Sequence, residues 1–135
     1  MKATVLDASA LLVMLFGEPG VEEVRALFHR AAAADRPLLI TAVNWAEVLY
    51  RVARRQGPAG LTTVRLLASN GAVQVIATDL EQAELAAGYK AADKLGLADA
   101  FAAALAKQRK AELVTADHEF KSVEGEIKIT WLKNQ

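Results

Sequence analysis

Residues 3–16 have the sequence ATVLDASALLVMLF, in which a short apolar run meets a single acid and is followed by a longer apolar run. The first run, Ala3 to Leu6, predicts a buried strand, and a short helix is predicted from about Ser9 to Phe16. Asp7 lies between them, directly after the strand. The sequence therefore places a carboxylate at the end of a strand that is predicted to be buried on both faces of its sheet.

The same alternation of short strands and longer helices continues along the chain. Further strands are predicted at residues 38–40, 73–76, 113–114 and 128–131. Further helices are predicted at residues 21–34, 42–56, 59–70, from the capping residue Asp79 to about 94, and 98–107. This order is typical of an α/β protein with a central, mainly parallel sheet. A length of 135 residues fits one domain covering 1–135.

Composition narrows the classes of function. The chain has no cysteine, which excludes disulfides, thiolate catalysis and cysteine-ligated zinc and is compatible with a cytoplasmic location. No apolar run is long enough to span a membrane, and we expect neither a signal peptide nor a membrane partner. The 16 basic and 16 acidic residues cancel, so RNA binding would require a local basic patch or a metal ion.

Four acidic residues occupy positions that suit a shared site: Asp7, Glu47, Asp99 and Asp117. Asp7 follows the first strand, and Asp117 lies just after the predicted strand at 113–114. Glu47 lies about two turns into the helix after the second strand, and Asp99 begins an alanine-rich helix. Because functional groups of an open parallel sheet gather beyond the carboxyl ends of its strands, we expect these carboxylates to converge.

The surroundings of two of these acids indicate a need for a counterion. Glu47 shares its helix face with Val43 and Tyr50, and Asp99 stands in the apolar segment 98–105. A carboxylate buried on such a face requires a cation or a proton. Four converging carboxylates would repel one another without a divalent ion among them, and Mg²⁺ and Mn²⁺ prefer oxygen ligands. We therefore predict a Mg²⁺ or Mn²⁺ site.

Each acid also has a simpler explanation. Asp7, Asp99 and Asp117 can each cap a helix or turn that begins nearby, and Glu47 can pair with Arg51 one turn further along its helix. These alternatives stay open when each residue is taken alone. The metal site is favoured because all four residues fit one pattern.

Two further polar residues near Asp117 are predicted to be ordinary surface residues. His118 follows Asp117 directly, where a catalytic imidazole is conceivable, but a surface histidine is the simpler interpretation. Glu119 is expected to be solvated rather than a metal ligand.

Four short motifs, in this order and spacing, resemble those of the PIN-domain family, and in particular its VapC-type toxins. VLDAS at 5–9 resembles the first acidic motif, and TAVNWAEV at 41–48 resembles the second. LGLADA at 95–100 resembles the third. VTAD at 114–117 resembles the fourth, and Phe120 fits the apolar position just after it. The resemblance covers nearly the whole chain.

This resemblance implies a three-layer α/β/α sandwich with a parallel sheet of four or five strands. It implies a Mg²⁺- or Mn²⁺-dependent endoribonuclease that is the toxin of a toxin–antitoxin module and cleaves tRNA or rRNA. It also implies a homodimer and a cognate antitoxin protein as partners. Three alternatives are a non-toxin RNA-processing nuclease, a catalytically inactive binding module with an acidic pocket, and a phosphatase that uses Asp7 as its nucleophile. The phosphatase is disfavoured because Ser9 stands where such enzymes carry a second aspartate.

In the nuclease hypothesis, Asp7, Glu47, Asp99 and Asp117 hold one or two divalent ions for phosphodiester hydrolysis. A second set of polar groups, Ser9, Asn44 and Thr115, would orient these ligands or bound waters. Three arginines on the Glu47 helix could grip RNA phosphates, although a solvated helix face explains them equally well: Arg51, Arg54 and Arg55.

Overall fold

The structure, a computed structural model, describes residues 2–93 and 95–133. Five strands form one sheet in the order β3-β2-β1-β4-β5, and every neighbouring pair is parallel. The strands are β1 (Thr4–Leu6), β2 (Leu38–Thr41), β3 (Val73–Ile76), β4 (Glu112–Thr115) and β5 (Ile129–Trp131). The predicted α/β class and mainly parallel sheet are confirmed, and the sheet has five strands.

Helices follow each strand except β5. They are α1 (Ala8–Phe16), α2 (Val21–Ala33), α3 (Ala42–Ser69), α4 (Leu80–Asp93), α5 (Leu97–Arg109) and a 3-10 helix (His118–Val123). Residue 94, the expected end of α4, lies outside the described residues. None of the helices in the described part of the chain is long and apolar enough to cross a membrane.

Helix α3 contains a sharp break where the sequence predicts two helices. Gly57 has φ 66° and ψ −158°, a conformation that is open almost only to glycine. Pro58 follows and begins the second half, a position where its missing N–H costs no helical hydrogen bond. The predicted division at Gly57-Pro58 is therefore correct, although the two halves continue one another as a single kinked element.

Alternation along the strands divides the core into two layers on either side of the sheet. Val5 of β1 packs with Leu105 of α5 and Phe120 on one face, whereas Leu6 packs with Leu11 of α1 and Val48 of α3 on the other. Both strand residues are fully buried. Burial on both faces is the expected consequence of a parallel sheet covered by helices, and it produces the three-layer sandwich.

The sheet order also fixes where a site can form. The chain passes from β1 to β2 and β3 on one side, and β4 and β5 then add on the other side of β1. The strand order therefore reverses between β1 and β4, and a crevice opens there beyond the carboxyl ends of the strands. Asp7 directly follows β1, and Asp117 follows β4 after one intervening residue.

Candidate metal centre

Asp7 is the most deeply buried of the acids, with 1% of its surface exposed. Its Oδ1 accepts a hydrogen bond from the Ala10 amide at 2.9 Å, so Asp7 does cap α1. The Ser9 hydroxyl lies 2.8 and 2.9 Å from the two carboxylate oxygens, and the Thr115 hydroxyl donates to Oδ2 at 2.6 Å. Capping therefore accounts for one contact only; the Ser9 hydroxyl adds a local contact from α1, and the Thr115 hydroxyl joins Asp7 to the end of β4.

The two hydroxyls that contact Asp7 are themselves held by the backbone after β4. The Ala116 amide donates to Ser9 Oγ at 3.0 Å, and the Asp117 amide donates to Thr115 Oγ1 at 2.9 Å. Each hydroxyl accepts from the backbone and donates to the carboxylate. This arrangement fixes the orientation of the Asp7 carboxylate relative to Asp117.

Asp117 begins the 3-10 helix and turns the chain back towards α5. Its Oδ1 accepts a hydrogen bond from the Glu119 amide at 2.9 Å. As a result, one carboxylate oxygen from each of Asp99, Asp117 and Glu119 lies within 4.8 Å of the other two. Asp117 therefore acts both as a cap and as a member of an acidic cluster.

Asp99 reaches this cluster from the first turn of α5. The N-cap of α5 is Gly96, so the alternative that Asp99 is the capping residue is wrong. Asn44, which is buried, donates from Nδ2 to the Ala98 carbonyl at 3.1 Å, and its own amide donates to Thr41 Oγ1 at 2.9 Å. Asn44 thus ties the start of α5 to the start of α3 and acts on Asp99 through the backbone.

Burial and mutual repulsion change the acidity of two of these residues. Burial, the largest cause, raises the pKa of Asp7 to about 6 in spite of its hydrogen bonds. Burial and the negative charges of Asp117 and Asp7 raise the pKa of Asp99 to about 8, and a hydrogen bond with Asp117 acts in the same direction. The site therefore disfavours its own ionised state at neutral pH, as expected for carboxylates that lack a counterion.

No protein cation compensates this charge among residues 2–93 and 95–133. The three ion pairs found there involve the other acids Glu18, Glu22 and Glu47. A set of carboxylate oxygens, partly buried and unpaired, has the donor chemistry of a divalent-cation site. The residues present therefore fit Mg²⁺ or Mn²⁺.

Glu47 is the acid whose surroundings differ most from the prediction. It lies one turn beyond Asn44 on α3, with 29% of its side chain exposed and Oε2 at 3.8 Å from Arg51. Neither Glu47 nor Asp7 contributes an oxygen to the group of three described above, so the structure brings together two of the four predicted ligands, Asp99 and Asp117. Asp7 lies near enough for its charge to raise the pKa of Asp99. A cleft of about 260 Å³ lined by Ser9, Arg51 and Ala116 brings this part of α3 beside the loop after β4. Both the ion pair and a role at the edge of the site are compatible with this position.

The sequence predicts that Glu119 is solvated, and its side chain is exposed, but the structure also brings one of its carboxylate oxygens into the cluster. The signal that could have located it is the turn made by Asp117, since an aspartate after a strand often accepts from the amide two residues on. His118, between the two acids, stacks on Trp131 with ring centroids 5.5 Å apart.

The fold and site define a class of protein: a parallel α/β sandwich with an acidic crevice at the reversal of its strand order. The sequence profile of the PIN domain matches residues 4–126, so the chain belongs to the PIN-domain family. No curated protein sequence matches the chain significantly.

Solved structures with this fold cover almost the whole chain. DNA-bound VapBC from Salmonella typhimurium is similar with a TM-score of 0.79 and 23% identity, over 96% of this chain and 98% of that one. A toxin–antitoxin complex from Klebsiella pneumoniae has a TM-score of 0.74 and 21% identity, over 98% and 100%. The Mycobacterium tuberculosis toxin VapC20, described as cleaving the sarcin–ricin loop, has a TM-score of 0.72 and 16% identity, over 90% and 95%. At these identities the likeness is one of fold.

Proposed function

We propose that this chain is a metal-dependent endoribonuclease and the toxin of a toxin–antitoxin module. The observation that carries the proposal is the cluster of Asp99, Asp117 and Glu119 carboxylates beside the buried Asp7. Burial and neighbouring acids raise the pKa values of Asp7 and Asp99. Such a group of carboxylates has the oxygen ligands that a divalent ion prefers. The names of the similar structures, which include toxin–antitoxin complexes and a toxin described as cleaving the sarcin–ricin loop, support the biological role.

The predicted ligands are Asp7, Asp99 and Asp117, with Glu47 as a fourth member and Glu119 as a candidate beside it. A divalent cation bound there would supply a Lewis acid that makes water easier to ionise and offsets charge on the reacting phosphate. The identity of the ion, Mg²⁺ or Mn²⁺, is part of the proposal.

The chain's own groups would prepare this site. Ser9 and Thr115 keep the Asp7 carboxylate in one orientation, because each donates to it while it accepts from the backbone. Asn44 holds the first turn of α5 and thereby the position of Asp99. Asp99, whose pKa is about 8, carries a proton at neutral pH that cation binding would release.

Arginines of α3 would contact the RNA backbone. Arg51 lines the cleft beside Ser9, and the side chains of Arg51 and Arg55 are 48% and 58% exposed. Arg55 lies 4.2 Å from the centre of the Phe16 ring, and Arg54 lies 4.9 Å from that of Tyr50. Rings that support a guanidinium reduce its freedom while leaving its N–H donors available for phosphate oxygens.

The direct test is cleavage of labelled tRNA and of an rRNA fragment with Mg²⁺, with Mn²⁺ and with EDTA. We expect cleavage only with a metal ion and a large loss in Asp7→Asn and Asp99→Asn. Glu84→Gln is a matched control, because Glu84 is exposed and lies outside the site. Full activity of both site variants, or activity that EDTA leaves intact, would contradict the proposal.

The toxin role and the partners need separate tests. Inducible expression should arrest growth, and co-expression of the neighbouring small reading frame should relieve the arrest. Cleavage without growth arrest would favour an RNA-processing nuclease. We also expect a homodimer, which light scattering on the purified protein would detect, and a monomer at all concentrations would contradict it.

A further inference from the structure

The end of the sheet opposite the acidic site, where the strands begin, is lined by basic residues. Two adjoining grooves, of about 500 and 260 Å³, lie at the amino ends of the strands and share Lys2 and Lys128. Besides Arg36, six exposed cations line them: Lys2, Arg30, Lys107, Arg109, Lys110 and Lys128. We call these six residues the basic edge.

The basic edge is largely uncompensated. The grooves contain three acids, Asp35, Glu112 and Glu126. Glu112 accepts hydrogen bonds from the hydroxyls of Thr4 and Thr130. Within residues 2–93 and 95–133, none of the six cations forms an ion pair with a carboxylate, although the charge of Arg109 is one of the causes that lower the pKa of nearby Asp79. In a chain with a formal net charge of zero, positive charge is therefore concentrated at one end of the sheet and the unpaired acids at the other.

Helix dipoles explain only part of this pattern. Arg30 lies in the last turn of α2, and Lys107 and Arg109 lie in the last turn of α5, where cations stabilise the exposed carbonyl groups. Lys2 and Lys128 precede strands β1 and β5 and have no helix end to stabilise. Both grooves nevertheless contain these two lysines, so part of their positive charge does not serve to stabilise a helix end.

We infer that the basic edge binds the phosphate backbone of RNA as a second contact, remote from the acidic site; the inference rests on the proposed nuclease function. A row of cations shared by two grooves suits a polymer of regularly spaced charges better than one small anion. The most exposed large apolar side chains, Tyr50, Leu66, Leu80 and Leu97, do not line either groove. A membrane surface or a protein partner would be expected to use such anchors.

The two edges are close enough for one folded RNA to contact both. A strand of three residues, as in β1, spans about 10 Å. A helix of the length of residues 42–56 spans about 22 Å. An RNA hairpin spans this distance and has phosphates enough for both ends of the sheet, whereas a strand of a few nucleotides has too few phosphates to occupy both. The basic edge therefore predicts that affinity depends on the size of the RNA.

The test measures binding in EDTA by fluorescence anisotropy, so that no metal-dependent cleavage occurs. The probes are a labelled hairpin RNA of about 40 nucleotides and a labelled single strand of about five nucleotides. The variant is R109E/K128E. The matched control is R65E/K90E, which changes the net charge equally at exposed cations outside the grooves. R109Q/K128Q serves if the charge reversal impairs folding.

We expect the basic-edge variant to weaken hairpin binding about 10-fold or more at low salt and to reduce the slope of log affinity against log salt by about 1 to 2. The short strand should bind more weakly than the hairpin to both proteins, because it offers fewer phosphates. Equal hairpin affinities of variant and control would overturn the inference. The inference would also be overturned if the basic-edge variant kept its RNA affinity but lost binding to a polyglutamate peptide or to phosphatidylglycerol vesicles. Cleavage of the hairpin in Mn²⁺ tests the proposed function separately, because its absence leaves the binding result intact.

Discussion

Replacing Asp7 by asparagine should stabilise the metal-free protein at pH 8, although it removes a buried residue with several hydrogen bonds. Burial raises the pKa of Asp7 from 3.8 to about 6. A difference of about two pH units corresponds to a cost of about 3 kcal/mol for keeping the charge in the folded state. Because the folded pKa is raised, the stability that this residue contributes is fully present below pH 3.8 and is lost as the pH rises through about 6.

The gain will be smaller than this cost. An asparagine Oδ1 can still accept from the Ala10 amide, but its NH₂ group would face the Thr115 hydroxyl, which donates to Asp7 at 2.6 Å in the native protein. Loss of that hydrogen bond costs about 1 kcal/mol. We therefore expect Asp7→Asn to raise the free energy of unfolding by about 1 to 2 kcal/mol at pH 8 and by much less at pH 4.

The assay is urea unfolding of the wild type, Asp7→Asn and the control Glu84→Gln, in EDTA, at both pH values. The difference between variant and wild type reports the burial of the Asp7 charge together with its repulsion of Asp99, which the substitution also removes. A variant that is less stable than the wild type at pH 8, or a difference that does not change between the two pH values, would refute the reasoning. Repeating the series with Mn²⁺ should stabilise the wild type and leave Asp7→Asn unchanged.

Three other substitutions test separate parts of the structure. Gly57→Ala should lower the free energy of unfolding by about 2 kcal/mol, because φ 66° with ψ −158° is unfavourable for alanine, and an unchanged urea midpoint would contradict the kink. Asn44→Ala should cost about 1–3 kcal/mol and weaken Mn²⁺ binding, because the Ala98 carbonyl loses its donor; calorimetry that finds the affinity unaltered would argue against control of Asp99 by Asn44. Glu119→Gln should lower the pKa of Asp99, since a neighbouring negative charge is removed, and NMR titration of the carboxyl groups would show no shift if Glu119 lay away from the cluster.

The fold was largely predictable because its signals are local. Apolar runs such as Val73–Ile76 and breaks such as Gly57-Pro58 depend on a few neighbouring residues, and they lie where the sequence predicts them. The hydrophobic periodicity of the sequence does not predict the order of the strands in the sheet, because that order depends on which face of the sheet each connecting helix covers. The parallel α/β pattern nevertheless indicated that Asp7 and Asp117 would share one edge of the sheet.

The site was less predictable where it depends on contacts between distant segments. The hydrogen bonds of Ser9 and Thr115 to Asp7 require β1 and β4 to be neighbours. Glu119 was assigned to the solvent because a surface acid two residues after another is common, and its position results from the turn at Asp117. For Glu47, the sequence allows either an ion pair with Arg51 or a metal ion. The structure places Arg51 at 3.8 Å from Glu47, and metal binding by Glu47 stays a prediction.

A crystal soaked in Mn²⁺ and measured at the manganese absorption edge would test the acidic centre most directly. We predict an anomalous peak in the crevice beyond β1 and β4, at about 2.0–2.3 Å from carboxylate oxygens of Asp99 and Asp117 and within reach of Asp7, and its loss in Asp99→Asn. A crevice without a peak at saturating Mn²⁺, with a lysine or arginine side chain among the carboxylates, would contradict the metal centre.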